Sequence, residues 1–177
     1  MTETELKNYI AAIRPADRDA MAAARQRQAQ LAKPPGSLGA LEDMSVRLAG
    51  VTGRVCPPMN RCRVAVFAAD NGVVDEGVSC APRSVTVQQA VNMTRRKTGM
   101  SAMAAAFGDD VAVVDVGMDC GTTPAGILNR RVRRSTGDIA IEDAMTRPQA
   151  LAAMAAGMEQ AAIARADGVT ALEIGRA

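Results

Sequence analysis

Apolar residues recur every third or fourth position through residues 1–60 and then run together in short blocks, a change of period that predicts helices followed by buried strands. Thr2 and Glu5 fit a capping box, and Leu6, Tyr9, Ile10 and Ile13 form one helical stripe until Pro15 interrupts. Asp17 can cap a second helix reaching about Ala32 through Met21, Ala24 and Leu31, and Lys33-Pro34-Pro35-Gly36-Ser37 stops it. A third helix, from about Leu41 to Val51, presents Leu41, Met44, Leu48 and Val51 on one stripe before Gly53 and Pro57-Pro58.

From Arg63 the pattern changes. Val64 to Ala69 is a continuous apolar run ending at Asp70-Asn71-Gly72, too short for a typical helix and suited to a buried parallel strand. Pro82 and Ser84 introduce a helix through Val87 and Val91 to about Thr94, a second helical stretch covers Met100 to Phe107, and Val111 to Val116 repeats the strand pattern up to Gly117. Asp119 to Asp143 reads as loop with short strands, Gly137 to Ile141 among them. Thr146-Arg147-Pro148-Gln149 then starts a helix whose Leu151, Met154, Met158 and Ala162 share a face, Gly168 ends it, and Val169 to Ile174 is a third buried strand with no crossover helix after it. Strands alternating with helices imply right-handed crossovers and a parallel sheet with helices on both faces. The expected organisation is an N-terminal helical segment, 1–60, and a truncated α/β domain, 61–177.

Composition narrows the partners. The 177 residues are 48% hydrophobic, enough for one sizeable core, and Tyr9, Phe67 and Phe107 are the only aromatics, so packing rests on aliphatic side chains and methionine. A formal charge of +2 with interspersed signs gives no electrostatic argument for a nucleic-acid or anionic-membrane partner. The acidic start and the lack of a long apolar run argue against a secretory signal or membrane span, and the expected location is the cytoplasm. Cys56, Cys62, Cys80 and Cys120 have no zinc-site spacing and are expected to be buried free thiols. With no histidine in the chain, neither a Ser-His nor a Cys-His pair can be built, and acid–base work falls to Asp, Glu or Lys.

Ligands of open parallel sheets bind beyond the carboxyl ends of the strands, here Asp70-Asn71-Gly72, Asp115-Val116-Gly117 and Gly175. The segment Asp70 to Gly77 gathers carboxylates, an amide and two glycines, a composition suited to a polar ligand and equally to a plain turn with solvated acids. Lys33 to Gly39 reads as a helix–helix connector in preference to a ligand loop. Arg130, Arg131, Arg133 and Arg134 form a dense basic cluster that, without aromatics for base stacking, reads as a solvated strand edge. Arg96-Lys97-Thr98-Gly99 lacks the upstream glycines of a phosphate-binding loop.

Taken together, Lys33 to Gly39 with Leu41-Glu42, Ala69 to Val78, Asn92-Met93-Thr94-Arg95, Val114 to Asp119, Gly137 to Ala140, Ala144 to Arg147 and Gly168-Val169-Thr170 run in order along the chain and resemble the nicotinate-nucleotide:dimethylbenzimidazole phosphoribosyltransferases. That resemblance implies a Rossmann-like α/β domain with a smaller helical domain, a homodimer at full length, and no metal or redox cofactor. It implies transfer of the 5-phosphoribosyl group of nicotinate mononucleotide to a nitrogen of 5,6-dimethylbenzimidazole, giving α-ribazole 5′-phosphate. By the same resemblance the substrate-binding residues are Gln89, which lines the base pocket, Ala81, where some members carry a serine, Asp70, Asn71, Gly72 and Gly175. Asn71 stands where the family commonly has histidine, and Arg176 where it continues with glutamate. The family's catalytic carboxylate and most of its phosphate contacts lie beyond Ala177, so the chain alone is expected to be inactive. The alternatives are a non-catalytic base- or partner-binding remnant and one subunit of a split transferase.

Overall fold

The computed structural model describes residues 1–177. Three helices precede the first strand: α1 (Glu3–Ala11), α2 (Arg18–Gln30) and α3 (Ala40–Thr52). Asp17 caps α2, its Oδ1 accepting from the N–H groups of Asp19 and Ala20 at 3.0 and 2.9 Å. α2 and α3 pack through Ala24, Val46 and Ala49, with Met21 and Val55 against them. The stripe expected for α3 is not the buried one: Leu41, Met44 and Val51 are exposed, and the helix turns Val46, Ala49 and Gly50 inward. Small residues win because the two helices approach closely. A Cβ on Gly50 would lie 2.7 Å from Met21 Cγ. α1 buries no residue, and Tyr9, Ile10 and Ile13 on its predicted stripe are exposed.

Thr4–Met59 forms one compact unit, and Asn60–Ala177 with Met1–Glu3 the other. The second holds a four-stranded sheet of β1 (Cys62–Ala69), β2 (Asp110–Gly117), β3 (Leu128–Asn129) and β4 (Ala171–Arg176), in the order β3-β2-β1-β4 and parallel throughout. Helices α4 (Ser84–Thr94) and α5 (Gly99–Phe107) connect β1 to β2, and α6 (Arg147–Ala166) leads into β4. Consecutive residues Ala65-Val66 and Val113-Val114-Asp115 are buried, so both faces of the two central strands are covered, as a parallel sheet requires. One core joins Ala68, Ala90, Val113, Met118 and Ile127, with Val87, Val91 and Met93 of α4 packed on it. This is the α/β architecture that the alternating pattern predicts.

Two expectations need correction. Gly137 to Ile141 is a turn, because Asp138 gathers the local donors: its Oδ1 accepts from Ala140 N–H and its carbonyl from the N–H groups of Ile141 and Glu142. The short strand of that stretch is β3 instead. β4 is not buried, since it lies at the sheet edge with Ile174 70% exposed. No helix is long and apolar enough to cross a membrane.

Candidate functional site

The strand order places a topological switch at β1, because the chain leaves it for β2 on one side and β4 returns on the other. A crevice opens where connections diverge in this way, beyond the carboxyl ends of the strands. There the structure has a hollow of about 810 Å³, floored by Phe67, Ala69, Asp70 and Asn71 from the end of β1 and by Arg176 and Ala177 from the end of β4. The β4 ladder reaches the rim, with Ala177 N–H donating to Phe67 O and Ala69 N–H to Ala177 O, both at 3.1 Å. Val73, Val78, Ala81, Val85 and Met93 make the walls largely apolar.

Asp70 and Asn71 follow directly from β1, where the apolar run stops. Asp70 is buried and both its carboxylate oxygens are engaged: Thr86 Oγ1 donates to Oδ1 and Asp119 N–H to Oδ2, each at 2.7 Å. Its carbonyl accepts from Thr136 N–H, and its own N–H donates to Gly117 O. Asp70 therefore ties β1, α4 and the loop after β2 together. Asn71 and Gln89 are exposed into the hollow, and no hydrogen bond occupies either side-chain amide. Ala81 lies in the wall. Gly72 and Gly175 lie outside the lining. Gly72 is required for another reason: a Cβ there would come within 2.6 Å of the Gly137 and Asp138 backbone, and its N–H donates to Thr136 Oγ1. At Gly175 a Cβ would meet only Val66 at an ordinary 3.7 Å.

Beneath the neighbouring strand end, Asp115 has a fully buried side chain. Arg131 donates to its Oδ2 from Nε and Nη2 at 3.0 and 2.7 Å, Thr123 Oγ1 donates at 2.6 Å, and the N–H groups of Gly117 and Met118 bond Oδ1. Burial pushes this carboxyl's pKa up, but the bonds from Arg131, Thr123 and Met118 outweigh it and hold the pKa below the usual carboxylate range. The bond to Asp115 in turn raises the Arg131 guanidinium.

Arg131 thus corrects the idea of a solvated arginine cluster. Arg130 pairs with Glu159 and Arg134 with Asp119, so three of the four arginines are committed to carboxylates. A carboxylate inside the apolar run Val114-Asp115-Val116 needs a buried cation, a signal that points to some arginine or lysine partner without naming Arg131. The sequence reasoning also missed Arg83, which lines the hollow and pairs with Asp75 and Asp119. The cysteines are free, but Cys56 and Cys80 are exposed and the other two only half-buried, Cys120 packing against the edge of the sheet core. In the helical unit Lys33 Nζ donates to Glu42 Oε1 at 2.6 Å, and that bond is the main cause holding the Glu42 pKa down. Lys33 to Gly39 is there a braced connector between α2 and α3.

Comparison with known proteins bears on the chain as a whole. Residues 13–177 match a family model described as phosphoribosyltransferase. A nicotinate-nucleotide–dimethylbenzimidazole phosphoribosyltransferase of Geobacter sp. (strain M21) is 40% identical over 96% of this chain and 49% of its own length. One from Salmonella arizonae is 49% identical over 76% of this chain and 38% of its own. The crystal structure of the protein of that name from Thermus thermophilus superposes with a TM-score of 0.82 at 43% identity, covering 90% of this chain and 49% of the other. The chain spans about half the length of the curated relatives it matches.

Proposed function

The chain belongs to the nicotinate-nucleotide:dimethylbenzimidazole phosphoribosyltransferase family, and we propose that its hollow seats the flat acceptor base while groups outside the chain complete the transfer. The whole reaction moves the 5-phosphoribosyl group of nicotinate mononucleotide to a ring nitrogen of a benzimidazole-type base. It needs an apolar slot for the ring, hydrogen-bonding groups that orient it, and a carboxylate that takes the proton from the attacking nitrogen. The apolar walls supply the slot, and the unengaged amides of Asn71 and Gln89 supply the orientation. Ala81 brings no hydroxyl, and Asn71, in place of an imidazole, brings hydrogen bonding without titration. Gly72 acts on the site through its close backbone approach to Gly137 and Asp138 after β1, and Gly175 only as the β4 residue that leads into Arg176 at the rim.

The observation that carries the proposal is the state of the carboxylates. Asp70 supplies the only side-chain carboxylate in the lining, and both its oxygens are already hydrogen-bonded. A base for the proton must therefore come from elsewhere, which supports a chain that binds the ring without transferring to it. The homodimer implied at full length belongs to the same proposal.

The test is a titration and an assay on one preparation. Calorimetry with 5,6-dimethylbenzimidazole is expected to detect binding, and incubation with nicotinate mononucleotide and the base is expected to give no α-ribazole 5′-phosphate. Product from the isolated chain would overturn the missing-carboxylate proposal, and absence of binding at millimolar base would overturn the assignment of the hollow.

A further inference from the structure

The wall segment Val78 to Pro82 is held at its ends and hardly at all in between. Within it, Ser79 Oγ donates to Ala81 O and accepts from Ala81 N–H, which folds the segment on itself without joining it to the sheet. Its first anchor is the 3-10 turn Gly72–Glu76, closed by Gly77 N–H donating to Val74 O. Its second is the start of α4, where Val85 N–H donates to Pro82 O. One side chain bridges the two anchors. Arg83 Nη2 donates to Asp75 Oδ2 at 2.8 Å and to Gly72 O at 3.4 Å, and Nη1 donates to Asp119 Oδ2 at 3.4 Å. Asp119 is itself fixed from two directions, by Arg134 on its carboxylate and by Asp70 on its N–H. The guanidinium is held by its fork at the expense of Nε, which is buried without a partner.

We infer that Arg83 is a positioning residue for the acceptor base: its clasp on Asp75, Gly72 and Asp119 sets the place of the Val78–Pro82 wall, and through it the width of the slot. The inference rests on the hollow being the base site. A planar fork reaches two carboxylates and a carbonyl at once, whereas an ammonium is a single point of charge, so lysine is not an equivalent occupant. Asp75 makes the shorter bond but is the exposed partner, and Asp119 makes the longer but more sheltered one, so the positioning is shared between them.

Arg83→Gln, Arg83→Lys and Asp75→Asn are compared with the unaltered chain by thermal unfolding, by calorimetric titration with 5,6-dimethylbenzimidazole, and by amide exchange across residues 77–83 in the free protein. Arg83→Gln is expected to weaken the base about tenfold and to speed exchange in the wall by a similar factor, with the unfolding midpoint little changed. Arg83→Lys is expected to recover only part of the affinity, and Asp75→Asn to lose about twofold. Should Arg83→Gln fail to fold, Asp75→Asn at the exposed partner decides. Unaltered affinity and exchange in the variants overturn the clasp. If the unaltered chain binds no base, the assignment of the hollow fails, and the exchange rates alone decide whether Arg83 sets the wall.

Discussion

Among single residues, Asp115 and Arg131 have the most at stake, because the carboxylate is fully buried and the guanidinium keeps only 15% of its side-chain exposure. Removing one member of such a pair leaves an uncompensated charge in the interior. Asp115→Asn is expected to cost about 3–5 kcal/mol of unfolding free energy, measured by urea titration at neutral pH. The same pair sets an acid limit. The folded pKa of Asp115 lies below the ordinary value of 3.8, so the folded state holds its proton less tightly than the unfolded chain does. The resulting stability is present above that ordinary value and is lost as pH falls through the lower, folded one. Asp115→Asn should flatten this part of the acid-unfolding curve. The pair also marks where sequence ends as a guide: Asp115 stands out as an acid in an apolar strand, yet nothing in the spacing says which arginine answers it. Asp70, Asn71 and Gly72 stood out in advance because they directly follow a buried strand, whereas Ala81 and Gln89 were named only through the family resemblance. Arg83 could not be foreseen, since its partners Asp75 and Asp119 meet only once β1 and β2 lie side by side.

At the scale of elements, the helix starts were the most legible features, since a cap is a local geometry spelled by neighbouring residues. Thr146 Oγ1 accepts from Gln149 N–H while Gln149 Oε1 accepts from Thr146 N–H, the reciprocal box that Thr-Arg-Pro-Gln announces. Thr146→Ala is expected to lower stability by about 1 kcal/mol, with Thr146→Ser nearly neutral, both read from chemical denaturation. The buried face of α3 was less legible, because hydrophobicity pointed to Leu41, Met44 and Val51 whereas close helix packing chose Val46, Ala49 and Gly50. Gly137 to Ile141 was misjudged for a related reason: an apolar pair looks like a strand until Asp138 bends the backbone around itself.

For the molecule as a whole, alternation of strand and helix sufficed to give a parallel α/β sheet, because crossover connections leave few other arrangements. The strand order was not legible, and it is the order that puts the hollow beside β1. It also leaves β4 outermost, pairing with β1 on one side only while Ile174 stands clear. Within these 177 residues, a row of amide groups unmatched on one side and next to a bare isoleucine is open to pairing by other copies of the same chain. Concentrated solutions should therefore scatter light progressively on warming, and Ile174→Lys, by planting a charge on that margin, should delay the onset without shifting the melting temperature.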